Sequence, residues 1–83
     1  MADLRVENPR TTDQFVALLA ERNVKLPLRL SEEDLGVVLD ADGRDVFTVD
    51  SNGERPDDEV EMIAGWIVLA ANTCGGFKAV HHG

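Results

Sequence analysis

The chain has 83 residues, 43% of them hydrophobic, and a formal net charge of −8 at pH 7. This length predicts one small domain, residues 1–83, that buries a modest core. Residues 31–61 contain twelve acidic residues and two arginines, which gives that segment a net charge of −10. Because affinity for phosphate backbones comes from basic groups, direct nucleic-acid binding is not expected.

The cysteine content and the hydropathy pattern bear on where in the cell the chain is expected. Cys74 is the single cysteine, so an internal disulfide is excluded and a reducing interior is favoured. The N-terminal residues lack the apolar run of a signal peptide. The most apolar stretch, residues 56–74, is too short and too acidic at its start to span a membrane. We therefore expect a cytoplasmic protein.

The first helix is predicted to begin at Thr11 and to stop near Asn23. Thr11 and Gln14 have the spacing of a capping box, in which each side chain accepts a backbone hydrogen bond at the helix start. The apolar residues expected to face the core are Phe15, Leu18 and Leu19.

Three strands are predicted next. Apolar and polar residues alternate strictly from Val24 to Leu30, which indicates a half-buried strand, and Pro27 favours a sheet edge because proline cannot donate a ladder hydrogen bond. Residues 35–40 and 45–49 predict a hairpin. The intervening sequence Asp-Ala-Asp-Gly-Arg is typical of a turn, since glycine tolerates a positive φ.

The last predicted element is a helix over residues 56–74. Pro56 suits its first position, the acidic residues that follow suit the positive end of the helix dipole, and Asp58 with Glu61 has capping-box spacing. Gly75 and Gly76 predict its end. The expected core face is Val60, Ile63, Ala64, Ile67, Val68 and Ala71.

Most of the remaining surface of this helix is also apolar. Met62, Trp66, Leu69 and Ala70 leave only a narrow stripe of Glu61, Gly65 and Asn72 without large apolar groups. A helix that is apolar nearly all round is normally buried on more than one side. The sheet covers one side, and the first helix, a second subunit or a partner covers the other.

The element order predicts an α+β fold. It has two layers, a three-stranded antiparallel sheet packed by two helices in the order α-β-β-β-α.

No pattern in the sequence predicts catalysis, a cofactor or a metal site. The aspartates near Gly43 lack EF-hand spacing and are better explained as turn residues. Cys74 lies at a helix C-terminus, where the dipole disfavours a thiolate. His81 and His82 are expected to form a solvated tail. We therefore expect a protein that is not an enzyme.

The run from Val37 to Asn72 combines the Asp-Ala-Asp-Gly-Arg turn with an acidic helix start and a helix that ends near an asparagine. This combination resembles small uncharacterised proteins of bacteriophages and prophages, which have a hairpin with an Asp-x-x-Gly-Arg turn followed by one helix. It covers about half of the chain and carries over no functional residue. The context of such proteins includes inhibitors of host defence, among them anti-CRISPR proteins, some of which imitate DNA, and implies a bacterial host cell.

We predict a non-enzymatic accessory protein of this type that binds a partner protein with a basic surface, as an inhibitor of a nucleic-acid-binding complex. The alternative is a structural homodimer that pairs through helix 56–74. The plainer interpretations are that the acids only confer solubility and that Met62 and Trp66 pack under the first helix. The residues predicted to bind the partner are Asp40, Asp42, Asp45, Asp57, Asp58, Glu59 and Trp66.

Overall fold

The computed structural model describes residues 8–77 and has the predicted order of elements. These are α1 (Thr12–Glu21), β1 (Arg29–Leu30), β2 (Val37–Leu39), β3 (Asp45–Thr48) and α2 (Asp57–Cys74). The strands form one antiparallel sheet in the order β1-β2-β3. The predicted α+β fold is confirmed, and β1 is an edge strand as Pro27 suggested.

The core lies between α2 and one face of the sheet. Val38 in the central strand and Ala64 in α2 are both 0% exposed, and they pack with Leu28. Val68 and Ala71 are half-buried against this cluster, as their helical spacing predicted. Ile67, which was also expected in the core, is 41% exposed because it lies at the margin of the buried face.

Helix α1 contributes little to this core. The Thr11 hydroxyl accepts a hydrogen bond from the Gln14 N–H (3.1 Å), which confirms the predicted N-cap. The Gln14 side chain, however, accepts from the Arg10 N–H. No residue of α1 is buried, and its three half-buried residues are the predicted stripe Phe15, Leu18 and Leu19. These three residues of α1 face inward, but α1 does not cover the outer side of α2.

The alternating run before β1 is buried as predicted but is paired differently. Burial alternates from Val24 to Leu30, yet only Arg29 and Leu30 pair as a strand, and the Leu26-Pro27 peptide bond is cis. Side chains from elsewhere take the place of a neighbouring strand. Asp40 accepts from the Lys25 N–H, and the Asn72 amide bonds both backbone groups of Leu28.

The hairpin is confirmed, and α2 begins and ends close to the predicted positions. Gly43 has φ +84° in the turn between β2 and β3. Pro56 is the N-cap of α2 rather than its first helical residue, and no side chain caps this end, so the expected capping box of Asp58 and Glu61 does not form. At the other end Gly76 has φ +90° and its N–H donates to the Thr73 carbonyl.

Candidate interaction surface

Three large apolar side chains are exposed on the side of α2 that faces away from the sheet. Trp66 is 61% exposed, Met62 is 50% exposed and Leu69 is 46% exposed. Their spacings of four and three residues place them in one line along the helix. We call this set, Met62, Trp66 and Leu69, the apolar stripe. The interpretation that Met62 and Trp66 pack under α1 is wrong.

The side of α2 next to the stripe is open at Gly65. A Cβ atom added there would meet nothing within 4 Å, so no neighbour in the described chain requires glycine at this position. Glycine inside a helix is less stable than alanine by about 1 kcal/mol. Gly65 therefore weakens α2 without improving packing within the described residues, and it leaves room beside Met62 and Leu69, its neighbours at three- and four-residue spacing, for another backbone.

Acidic residues lie at the N-terminal end of the stripe. Asp58 is exposed one turn before Met62, and Glu59 is half-buried beside it. The Glu59 carboxylate pairs with the Arg55 guanidinium within the same part of the surface. Thr73, at the C-terminal end of the stripe, is exposed and uncharged. The exposed side of α2 is thus charged at one end only.

The start of α2 lies at the same end of the sheet as two acidic loops. The Val49 N–H donates to the Gly36 carbonyl (2.9 Å), and a Cβ at Gly36 would lie 2.8 Å from Val60 Cγ1. Loop 31–36, turn 49–55 and the first turn of α2 therefore come together, and Arg55 is the one basic residue in these three segments. We call this region the acidic end, and its acids are Glu32, Glu33, Asp34, Asp50, Glu54, Asp57, Asp58 and Glu59.

The opposite end of the sheet contains basic as well as acidic side chains. The Leu28 hydrogen bonds to Asn72 place the hairpin turn near the C-terminal end of α2. Asp42 and Asp45 are exposed there, and the Lys25 ammonium lies 3.5 Å from Asp42. The six acids predicted to bind a partner are therefore divided: Asp57, Asp58 and Glu59 belong to the acidic end, and Asp40, Asp42 and Asp45 lie at the hairpin end.

Asp40 does not belong to any exposed binding surface. It is 1% exposed, its Oδ1 accepts from the N–H groups of Asp42 and Arg44 (both 3.0 Å), and its Oδ2 accepts from the Lys25 N–H (3.2 Å). These bonds, that from Arg44 first, hold the pKa of the Asp40 carboxyl below its ordinary value of 3.8, although burial acts in the opposite direction. Asp40 is corrected from a binding residue to a structural one.

Asn72 has a structural role that sequence reasoning missed. The sequence placed it on a polar stripe, but it is half-buried, its Nδ2 donates to the Leu28 carbonyl (2.9 Å), and its Oδ1 accepts from the Leu28 N–H (2.6 Å). The bonded partner is 44 residues away, so no local pattern indicates it. For the stripe a signal did exist, since the spacing of Met62, Trp66 and Leu69 is visible in the sequence.

The described residues offer little other functional chemistry. Across residues 8–77, no group of three His, Cys, Asp or Glu side chains could hold a metal ion, and His81 and His82 lie outside this range. Cys74 is a free, exposed thiol. Neither described helix has the combination of length and apolarity needed to cross a bilayer.

The chain was compared with protein-family models, curated proteins and solved structures, and none of them matches. The surface chemistry of α2 and of the acidic end is therefore the basis for proposing a function.

Proposed function

We propose that this chain is a non-enzymatic protein-interaction module that pairs with a second copy of itself through the exposed side of α2. The main support for this proposal is the apolar stripe, three large side chains that lie in one line and are about half exposed, of which Trp66 is the most exposed. Tryptophan and methionine are enriched at the centres of protein interfaces, and tryptophan is prominent among the residues whose truncation weakens binding most.

A second copy fits this surface because the middle of the stripe is wholly apolar. Interfaces between identical subunits are more apolar than those between transient partners. Charged residues lie beside the stripe only towards its N-terminal end, at Asp58 and Glu59, with Glu61 further round the helix on the side of Gly65. The open side at Gly65 supports the close approach of a second helix. This is the homodimer that the sequence suggested as the alternative.

The first test replaces Trp66 with glutamate. Trp66→Glu places a charge in the apolar stripe, and we expect it to weaken pairing by about 2 kcal/mol or more, which is roughly 30-fold in the dissociation constant. Sedimentation velocity over a concentration series measures this change. Circular dichroism checks that the monomer remains folded, as expected for a residue that is 61% exposed.

Leu35→Glu is the matched control. Leu35 is 47% exposed, close to Leu69 in exposure, but it lies in the loop before β2 and outside the stripe. This variant should pair like the wild type. Equal loss of pairing in both variants, or no loss in Trp66→Glu, would show that the stripe is not the interface.

The acidic end favours a second candidate function, the binding of a basic protein surface. Folding gathers loop 31–36 with residues 57–59 although they are separated in the sequence, which strengthens the local negative potential. Such a surface suits an inhibitor that occupies the basic site of a nucleic-acid-binding complex, and the resemblance of residues 37–72 to phage and prophage proteins adds the narrower proposal of an inhibitor of that type. The acidic end and the stripe meet at Asp58 and Glu59, and most of the acidic end stays free in a dimer.

This candidate is tested by reversing charges at one end at a time. The triple variant Asp57→Lys, Asp58→Lys, Glu59→Lys should lose salt-sensitive binding to proteins captured from bacterial lysate, whereas the control pair Asp42→Lys, Asp45→Lys at the hairpin end should retain it. The captured proteins are identified by mass spectrometry at low and at high salt. Capture that is the same for both variants would exclude the acidic end as the binding surface.

A further inference from the structure

We propose that the two copies pair with their α2 helices antiparallel, so that each Trp66 packs against Met62 or Leu69 of the partner subunit. This inference rests on the proposed self-association and adds its orientation. It depends on the charges at the two ends of the stripe, on the position of the stripe within α2, and on the open side at Gly65.

The charges on α2 discriminate between the two orientations. A parallel pair would bring Asp58 and Glu59 of both copies together at the N-terminal end of the stripe, and would set the two acidic ends side by side. Like charges in contact are destabilising. An antiparallel pair places these carboxylates opposite the uncharged end of the partner's stripe, where Thr73 is exposed. The avoidance of like-charge repulsion therefore favours the antiparallel arrangement.

The stripe is centred in the helix, so a two-fold axis through its middle lets the two α2 helices overlap along their whole length. Eight residues of α2 precede Gly65 and eight follow Trp66. Met62 lies three residues before Gly65, and Leu69 lies three residues after Trp66. When α2 is reversed about its middle, an apolar stripe therefore falls on an apolar stripe. An interface with this property is self-complementary, as a two-fold symmetric dimer requires.

Gly65 contributes the space that this packing needs. It borders the stripe next to Met62 and Leu69, at three- and four-residue spacing, and the region above it is open because an added Cβ would contact nothing within 4 Å. A helix that crosses here can approach closely on that side, while the indole of Trp66 fills the other. The acidic ends of the two copies then point in opposite directions along the paired helices.

Disulfide trapping tests the orientation with the full chain. Asp58→Cys and Thr73→Cys are each made in a Cys74→Ser background, so that neither variant keeps the native thiol. Both positions are exposed and lie at opposite ends of the stripe. The two variants, one carrying a size tag, are oxidised separately and as a mixture, and the products are separated on a non-reducing gel.

The antiparallel pair predicts a cross-link in the mixture, between position 58 of one copy and position 73 of the other, and almost none in either variant alone. Adding Trp66→Glu to both variants should abolish the cross-link. Efficient self-cross-linking of the Asp58→Cys variant would overturn the antiparallel orientation and leave self-association standing. A dimer in solution without any of these cross-links would place the interface elsewhere, and a monomer at every concentration would overturn the self-association itself.

Discussion

Asp40 shows how one buried carboxylate organises several backbone segments. Its side chain accepts three backbone N–H groups, two from its own turn and one from Lys25, which lies fifteen residues earlier in the chain. The Ala41 N–H donates to the Lys25 carbonyl (2.8 Å), so both backbone groups of Lys25 are bonded to the hairpin turn. Asp40 therefore holds the turn closed and attaches the segment before β1 to it.

The stability that Asp40 contributes should depend on pH. Its pKa in the folded chain is below the ordinary value of 3.8, so the unfolded chain binds the proton more readily than the folded chain does. The stabilisation is therefore fully present above about pH 5 and is lost as the pH falls through the folded pKa. Asp40→Asn removes this ionisation, so the variant should be clearly less stable than the wild type near neutral pH, and the difference should narrow in acid.

Urea unfolding followed by circular dichroism at several pH values measures this difference. Asp42→Asn is the control, because Asp42 is exposed in the same turn and should change stability little across the range. If Asp40→Asn and the wild type differed by the same amount at every pH, the role assigned to the Asp40 carboxylate would be incorrect.

Asn72 performs a similar task from the C-terminal part of α2. Its amide bonds the N–H and the carbonyl of Leu28, as a neighbouring strand would. Leu28 is a core residue, so without these bonds its backbone groups would be partly buried and unpaired. Asn72 thereby connects the end of α2 to the segment that leads into β1.

Helix α2 is fixed against the sheet where its first turn meets Gly36. This glycine is buried with φ +78°, and a Cβ there would lie 2.8 Å from both the Val49 carbonyl oxygen and Val60 Cγ1. Both the backbone conformation and the lack of space exclude a larger residue. The contact also brings loop 31–36 next to the start of α2 and so creates the acidic end.

Two alanine substitutions distinguish the effect of the backbone conformation at Gly36 from the effect of the lack of space around it. Gly36→Ala should destabilise the chain by about 3 kcal/mol, because a strained conformation and a steric clash add together. Gly53→Ala is the matched control: φ is +69° there, but nothing lies within 4 Å, so only the conformational cost of about 1 kcal/mol is expected. Thermal unfolding of both variants compares the two, and equal losses would mean that the neighbours of Gly36 accommodate a Cβ and that lack of space is not a requirement there.

Elements with strong local signals could be predicted from the sequence. The proline and acidic residues before α2, the glycines after it, and the Asp-x-x-Gly turn of the hairpin act on their immediate neighbours. The run from Val24 to Leu30 was predicted correctly in burial but not in pairing. Its partners Asp40 and Asn72 are distant in sequence, and alternation reports which side is buried rather than what bonds the backbone.

The residues of the interaction surface were harder to predict than the helices and strands, because their burial also depends on segments that are distant in the sequence. An aspartate in a turn is usually exposed, and only the fold shows that Asp40 is enclosed by the Lys25 segment. The excess apolar surface of α2 was visible in the sequence, but which element covers it depends on where α1 lies. Since α1 has no buried residue and Trp66 is 61% exposed, the stripe remains open in the described part of the chain.

For the whole molecule, the charge distribution bears on how copies associate. The net charge of −8 opposes contact between two chains, whereas the apolar stripe favours it. In an antiparallel pair the acidic starts of the two α2 helices are separated by up to about 27 Å, since each residue adds about 1.5 Å to a helix. This distance exceeds the Debye length of about 8 Å at physiological ionic strength, so the repulsion between acidic ends is largely screened.

Self-association should therefore strengthen as salt increases. Added salt screens the remaining repulsion between two acidic chains and does not weaken apolar contacts. Binding of a basic partner by the acidic end should respond in the opposite way, because salt screens that attraction. Salt dependence thus distinguishes the two interactions in the same protein.

The mass of the full chain in solution, measured by sedimentation equilibrium over a concentration series at low and at high salt, shows whether two copies pair. We predict a reversible rise from the monomer mass of 9.1 kDa to twice that value, at lower protein concentration when salt is high. A mass that stays at 9.1 kDa up to high micromolar concentration in both conditions would contradict the proposal that the apolar stripe of α2 pairs two copies.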